Sequence, residues 1–166
     1  MTKDRRTLDL TLTGPARFRA FLTSYTALNP TYQGFDREIL ESLVLVSTTS
    51  TTTVFELTIK AAYTNGLNSL HGGCAALIYD ICTSAALMVI AREGFWESTG
   101  VSRNLNITYI RPVPCGTKVR IESEVVHAGL RLATIRGVMK TEDGKIVSTA
   151  EHTKVNLTNV PGKSQL

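Results

Sequence analysis

One acidic side chain, Asp80, interrupts the most apolar stretch of the chain, CAALIYDICTSAALMVIA from Cys74 to Ala91. Taking an unpaired carboxylate out of water is costly, or forces it to hold a proton. A carboxylate in such a place is suited to moving protons, although a buried acid satisfied by local hydrogen bonds has the same appearance. Just before this stretch comes His71-Gly72-Gly73, behind the loop AYTNGLNSL. The glycines read as helix-entry residues. Asn65-Gly66 reads as a turn. Cys74 stands where a helix N-terminus could activate a thiol, but no base is placed for it, so it reads as packing.

A helix that is apolar on nearly all sides needs cover all round. Cys74–Ala91 is broken by Asp80 and Thr83-Ser84 and flanked by glycines, so it reads as a buried helix rather than a membrane span. The elements around it are expected to be mostly strands. Val101–Ile110 is strand-like, with Pro112, Pro114 and Gly116 as punctuation. Thr117–His127 alternates Val119, Ile121, Ser123 and Val125 against Lys118, Arg120, Glu122 and Glu124. Leu132–Thr141 follows a turn at Gly129, and Lys145–Leu157 follows the hairpin signal Asp143-Gly144. Upstream, Ile39–Ser50 and Thr52–Lys60 read as two strands joined through the run STTSTTT. PARFRAFLTSYTAL, starting at Pro15, reads as an amphipathic helix with Phe18, Phe21, Leu22 and Tyr25 on one side and Pro30 past its end.

The whole chain has 166 residues, 43% apolar and 19% charged, which suits one globular domain. Cys74, Cys82 and Cys115 have no metal-ligand spacing. Cys74 and Cys82 lie about 12 Å apart along one helix, too far for a disulfide. A reducing compartment follows, the cytoplasm or the mitochondrion. No secretory signal is visible, and Asp4 and Asp9 argue against a mitochondrial presequence without excluding one. Residues 1–100 carry 8 Lys+Arg against 9 Asp+Glu, and residues 101–166 carry 10 against 5. A basic C-terminal half is on charge alone first a solvated surface, and that charge also suits nucleic acid, a membrane surface or a phosphorylated small molecule. Without a long basic run or aromatic interleaving it does not suggest nucleic acid. No metal, no cofactor and no stable membrane insertion are expected.

The order helix, two strands, apolar helix, four strands describes an α+β hotdog fold: an antiparallel sheet of about six strands wrapped around a long central helix, with an extra N-terminal helix. Residues 1–38 read as an N-terminal extension and helix, 39–157 as the hotdog domain and 158–166 as a disordered tail. Asn65, His71-Gly72-Gly73 and Asp80 at this spacing, then Val101-Ser102 with Asn106-Ile107-Thr108-Tyr109, then Glu151-His152-Thr153-Lys154, resemble the acyl-CoA thioesterase family of hotdog proteins. The likeness is greatest to the eukaryotic group called thioesterase superfamily member two, or acyl-CoA thioesterase thirteen. The bacterial phenylacetyl-CoA thioesterases are more distant. The resemblance covers Leu40–Val155. It departs at Arg103-Asn104, where the group usually has a hydrophobic residue and then Asp, which removes a charge near Ser102.

The resemblance implies a hydrolase of medium- to long-chain or aryl acyl-CoA. Gly72 would offer its N–H to the thioester oxygen. Asp80, from a neighbouring subunit, would act as general base or nucleophile, Ser102 would orient it, and Asn65 and His71 would shape the carbonyl side. Coenzyme A, part of the substrate rather than a cofactor, would lie along Tyr109, Ile110, Arg111, Pro112, Val113 and Pro114. It would also follow His127, Ala128, Gly129, Leu130, Arg131 and Leu132, and pass near Val155. Members of this group are homotetramers built from dimers. Physical chemistry agrees: a helix N-terminus stabilises charge building on a carbonyl oxygen, and a carboxylate can take the proton of attacking water. Arg103, Arg111, Lys118, Arg131 and Lys154 are candidates to meet the phosphates. Asp80 lies just over two helical turns past Gly72, so both can grip one carbonyl only if they come from different chains. The other readings are a non-catalytic acyl-CoA sensor using the same tunnel, a hotdog dehydratase, and a purely structural assembly module.

Overall fold

The computed structural model describes residues 8–25 and 32–157, excluding the side chains of Ser24 and Tyr25. The expected tail 158–166, the Tyr25 side chain and Pro30 therefore lie outside the described residues. Within them, α1 (Gly14–Tyr25) and α2 (Arg37–Ser42) precede strands β1 (Val44–Thr48) and β2 (Thr52–Thr58). The long helix α3 (Gly72–Ile90) follows, then β3 (Val101–Tyr109), β4 (Lys118–Ala128), β5 (Leu132–Thr141) and β6 (Ile146–Val155).

The six strands form one antiparallel sheet in the order β1-β2-β4-β5-β6-β3. Alternation along β4 and β5 sends Val119, Ile121, Ser123, Val125, Ala133, Ile135 and Met139 inward and leaves the charged partners outside. Glu56, Lys118 and Arg120 pair on that outer face, as do Glu122 and Lys140. Bulges between Val125 and His127, Ser102 and Asn104, and Leu45 and Ser47 interrupt the ladders. They add the local twist and bending that let a sheet curl around a helix.

α3 fills the concave side. It is long and apolar enough to cross a membrane, but Ala75, Ile78, Tyr79, Cys82, Ala85, Ala86, Leu87 and Met88 are buried within the fold. Close approach to the sheet depends on Gly137, where a Cβ would stand 2.8 Å from two ring atoms of Tyr79.

The expected first strand, Ile39–Ser50, is corrected: residues up to Ser42 are helical and β1 begins at Val44. Glu38 lies in the first turn of α2, and Arg37 bonds to Glu41 one turn on at 2.8 Å, local support for a helix that an apolar count does not register. The N-terminal segment shares the central core. Leu8 and Phe18 are buried in it, and the Phe18 and Phe55 rings stand 4.7 Å apart. Arg17 ties the segment down. Its buried guanidinium donates to the carbonyls of Met88 and Ala91 at the end of α3 and of Asp9, Leu10 and Leu12 before α1.

Candidate functional site

The N-terminus of α3 opens into a cavity of about 370 Å³ lined by Asn65, Leu70, Gly72, Tyr109, Arg111 and Val113, among others. His71 is the N-cap: its Nδ1 accepts from the Gly73 N–H at 3.0 Å, and its carbonyl accepts from Ala75. Among the described residues no acceptor meets the Gly72 N–H, so that amide remains an open donor at the positive end of the helix. Tyr109 donates its hydroxyl to the Gly72 carbonyl at 2.8 Å, fixing the backbone there. Asn65 uses Oδ1 to close its own turn, accepting from Leu67 N–H at 2.9 Å and Ser69 N–H at 3.4 Å. Among the described residues its Nδ2 takes part in no hydrogen bond.

A second cavity, of about 240 Å³, is lined by Asp80 and Ser102 with Asp36, Thr99 and Lys154. Its apolar wall is Phe21, Leu40, Ile81, Ala85, Met88 and Val101. The expectation that Asp80 is buried and unpaired is corrected: its side chain is 44% exposed in the single chain, and Ser102 Oγ donates to its Oδ1 at 2.5 Å. Among the described residues Oδ2 takes part in no hydrogen bond.

Two groups that sequence reasoning did not assign to this place stand beside it. His152 is fully buried, with Nε2 3.6 Å from Asp80 Oδ1. Thr83 Oγ1 lies 2.5 Å from the Tyr79 carbonyl and 2.6 Å from His152 Nδ1. Among the described residues Nε2 takes part in no hydrogen bond. Burial first, and the Lys154 charge second, push His152 down to about 4, against the opposing pull of Asp80. Lys154, expected among the phosphate binders, is instead buried, with Nζ 2.6 Å from Ser84 Oγ and 3.3 Å from Ser102 Oγ. Burial lowers it to about 8, and Asp80 opposes this. The available signal was alternation along β6, which turns Ser148, Ala150, His152 and Lys154 to one face.

Lys118 is likewise removed from the phosphate candidates, because it is engaged by Glu56 on the outer sheet face. Arg111 lines the first cavity and donates to the Ile146 carbonyl, while Arg103 and Arg131 are exposed. Burial, with the Glu38 charge second, pushes the Cys74 thiol up to about 11, away from the thiolate form.

The Cα register divides the expected site residues between the two ends of the sheet. Tyr109 is opposite Ser148 at one end, near Gly72, Asn65 and the stretch Ile110, Pro112 and Val113; Pro114 bridges to Ser69 there. At the other end Val155 lies opposite both Val101 and Leu132, with Ser102 opposite Lys154. The hairpin His127, Ala128, Gly129, Leu130, Arg131 and Leu132 belongs to that second end. It is pinned by Trp96, whose indole N–H donates to the Gly129 carbonyl at 2.8 Å, and by Asn156 Nδ2 donating to the Leu130 carbonyl. Along β3 the ends are about 26 Å apart. One chain thus carries Gly72 with Asn65 at one end and Asp80 with Ser102 at the other, in two separate cavities.

The Thioesterase superfamily model matches residues 67–148. Mouse acyl-coenzyme A thioesterase 13 is 35% identical over 123 residues, spanning 73% of this chain and 84% of that protein. The human protein of that name is 31% identical over 123 residues, spanning 74% and 84%. Zebrafish thioesterase superfamily member 2 superposes with a TM-score of 0.72 at 27% identity, covering 87% of this chain and 99% of that one.

Proposed function

The chain belongs to the thioesterase superfamily, and on that premise we propose that it hydrolyses acyl-coenzyme A thioesters to the free acid and coenzyme A. Medium- to long-chain and aryl acyl groups are the substrate classes in view. The observation that carries this reading is the Ser102–Asp80 hydrogen bond at the edge of a cavity with one apolar wall. A carboxylate with one oxygen held and the other open is set to activate water.

The reaction needs both ends of the sheet, so we assign the working unit to a dimer. Among the described residues β3 has a neighbour only on its β6 side, and it is exposed along most of its length. Antiparallel pairing of two β3 strands would bring the Asp80 end of one chain to the Gly72 end of its partner. The thioester oxygen is then received by the Gly72 N–H and Asn65 Nδ2 of one chain. Water attacks the carbonyl carbon while Asp80 Oδ2 of the other takes its proton. Collapse of the tetrahedral intermediate breaks the C–S bond, and the proton leaves with sulfur as the thiol. His71 acts by capping the helix that presents Gly72. Tyr109–Pro114 and the His127–Leu132 hairpin with Val155 are assigned to coenzyme A, and two such dimers to a tetramer.

The test is a panel of acyl-CoAs of graded length, with the released thiol trapped, run on the wild type and on Asp80→Asn. We expect turnover by the wild type and a loss of about 10³-fold or more in the variant. Binding without turnover by the wild type, or equal turnover by both, would overturn the reading.

A further inference from the structure

Lys154 is among the most buried charged side chains described, 3% exposed. Among the described residues no carboxylate lies within ion-pairing distance of its Nζ. Its two recorded partners are both serine hydroxyls, Ser84 and Ser102. A desolvated cation held in that way at the edge of the Asp80 cavity calls for an explanation, and a phosphate-binding role is closed to it by burial.

We propose that Lys154 is a positioning residue that fixes Ser102 as a donor to Asp80; the proposal rests on the thioesterase reading. A serine hydroxyl has one proton and can point it at only one acceptor. An ammonium has three N–H donors and no lone pair. Facing Lys154, Ser102 Oγ can only accept, and its proton is left for Asp80 Oδ1 at 2.5 Å. Ser84 holds the ammonium from the α3 side at 2.6 Å. A neutral amine in the same place has a lone pair and can take the Ser102 proton for itself, which turns the hydroxyl away from Asp80. The charge on Lys154 therefore sets the direction of the relay Lys154–Ser102–Asp80, and with it the orientation of the carboxylate that takes the proton from water.

The groups facing Lys154 are few. Asp80 from α3 and Asp36 from the segment before α2 line the same cavity, Asp36 itself receiving a hydrogen bond from Tyr32. His152 is two residues along β6. The cross-strand neighbours Ser102 and Ala133 carry no charge. The lysine loses its proton near pH 8, inside the range where hydrolysis is readily followed.

The experiment measures kcat and KM with one acyl-CoA for the wild type, Ser102→Ala, Lys154→Met, the double variant and Lys154→Arg, from about pH 6 to about pH 10. We expect Lys154→Met to lower kcat by about 10- to 100-fold with KM changed less than about threefold, and the double variant to fall no further than Ser102→Ala alone. The wild type loses kcat as pH rises through about 8. That limb disappears in Lys154→Met at low kcat, and is absent up to about pH 10 in Lys154→Arg, which keeps most of kcat. Multiplying effects in the double variant, or an unaltered alkaline limb in Lys154→Met, would overturn the role. If Lys154→Met does not fold, Ser84→Ala takes its place, and an unshifted limb there is equally fatal. Absence of turnover by the wild type sinks the thioesterase reading and this proposal with it, whereas turnover with additive variants sinks the proposal alone.

Discussion

Ser102 Oγ donates to Asp80 Oδ1 across 2.5 Å, joining the edge strand β3 to the middle of the central helix. The bond turns one carboxylate oxygen toward the protein and leaves the other toward the cavity. It also ties the acid to one of the two edge strands of the sheet. The Asp80 cavity and an open sheet edge therefore share an element.

Gly72→Ala should leave the fold intact. The added Cβ would lie 3.4 Å from the Tyr109 ring, an ordinary contact. It would crowd the space before the open N–H, so kcat/KM is expected to fall about 10- to 100-fold while the thermal midpoint moves little. Steady-state kinetics alongside a melting curve separates the two. A stable variant with full activity would show that no oxygen approaches that amide.

Mixing two inactive chains tests the dimer. Asp80→Asn spoils the carboxylate half and Gly72→Val the carbonyl half. A hybrid of the two carries one intact site made from the good half of each. Denaturing and refolding the pair together should regain about a quarter of wild-type activity, for random assortment with independent sites. Recovery no greater than the sum of the separate variants would place both halves of a site in one chain.

Stability should fall in mild acid because of His152. Its pKa is about 4 folded against 6.5 for the free side chain, so between these values the unfolded chain binds more protons. The stabilisation from keeping the ring neutral is present in full above about pH 6.5 and is lost as pH falls through about 4. Urea midpoints measured across that window should drop, and His152→Gln should flatten the drop. An equal slope in the variant would assign the acid sensitivity to other groups.

Arg17→Met should destabilise the chain by about 2–4 kcal/mol, because it leaves several buried carbonyls without a donor. Gly137→Ala should cost about 1–3 kcal/mol by forcing Tyr79 off the sheet. Denaturant unfolding measures both. A change under about 0.5 kcal/mol in either would show that the contact is readily replaced.

Much of the fold was legible in the sequence because its signals are local. Alternation in β4, the Asp143-Gly144 turn and the long apolar run of α3, broken only by Asp80 and Thr83-Ser84, each mark an element without reference to the rest. α2 was not legible: Ile39-Leu40 suits either a strand or a helix, and six residues are too few for a period to appear. In the site, Asn65 and Gly72 line one cavity and Asp80 another. The exposure of Asp80 did not follow from an apolar sequence, because the helix meets a gap beside β3 where the sheet ends. Lys154 was misassigned because charge predicts exposure, and only its register opposite Ser102 and Ala133 turns it inward.

The N-terminal segment has a consequence for how the chain can be shortened. Phe21 of α1 lines the Asp80 cavity, Phe18 covers Phe55, and Arg17 holds the last carbonyls of the central helix. A product trimmed back to Arg37 would retain Asp80, Ser102, Lys154 and Gly72. It would lose the Phe21 wall of the Asp80 cavity and the Arg17 tether of the central helix in the same cut. The first 36 residues thus shape that cavity from outside the strands and helix that carry its polar groups.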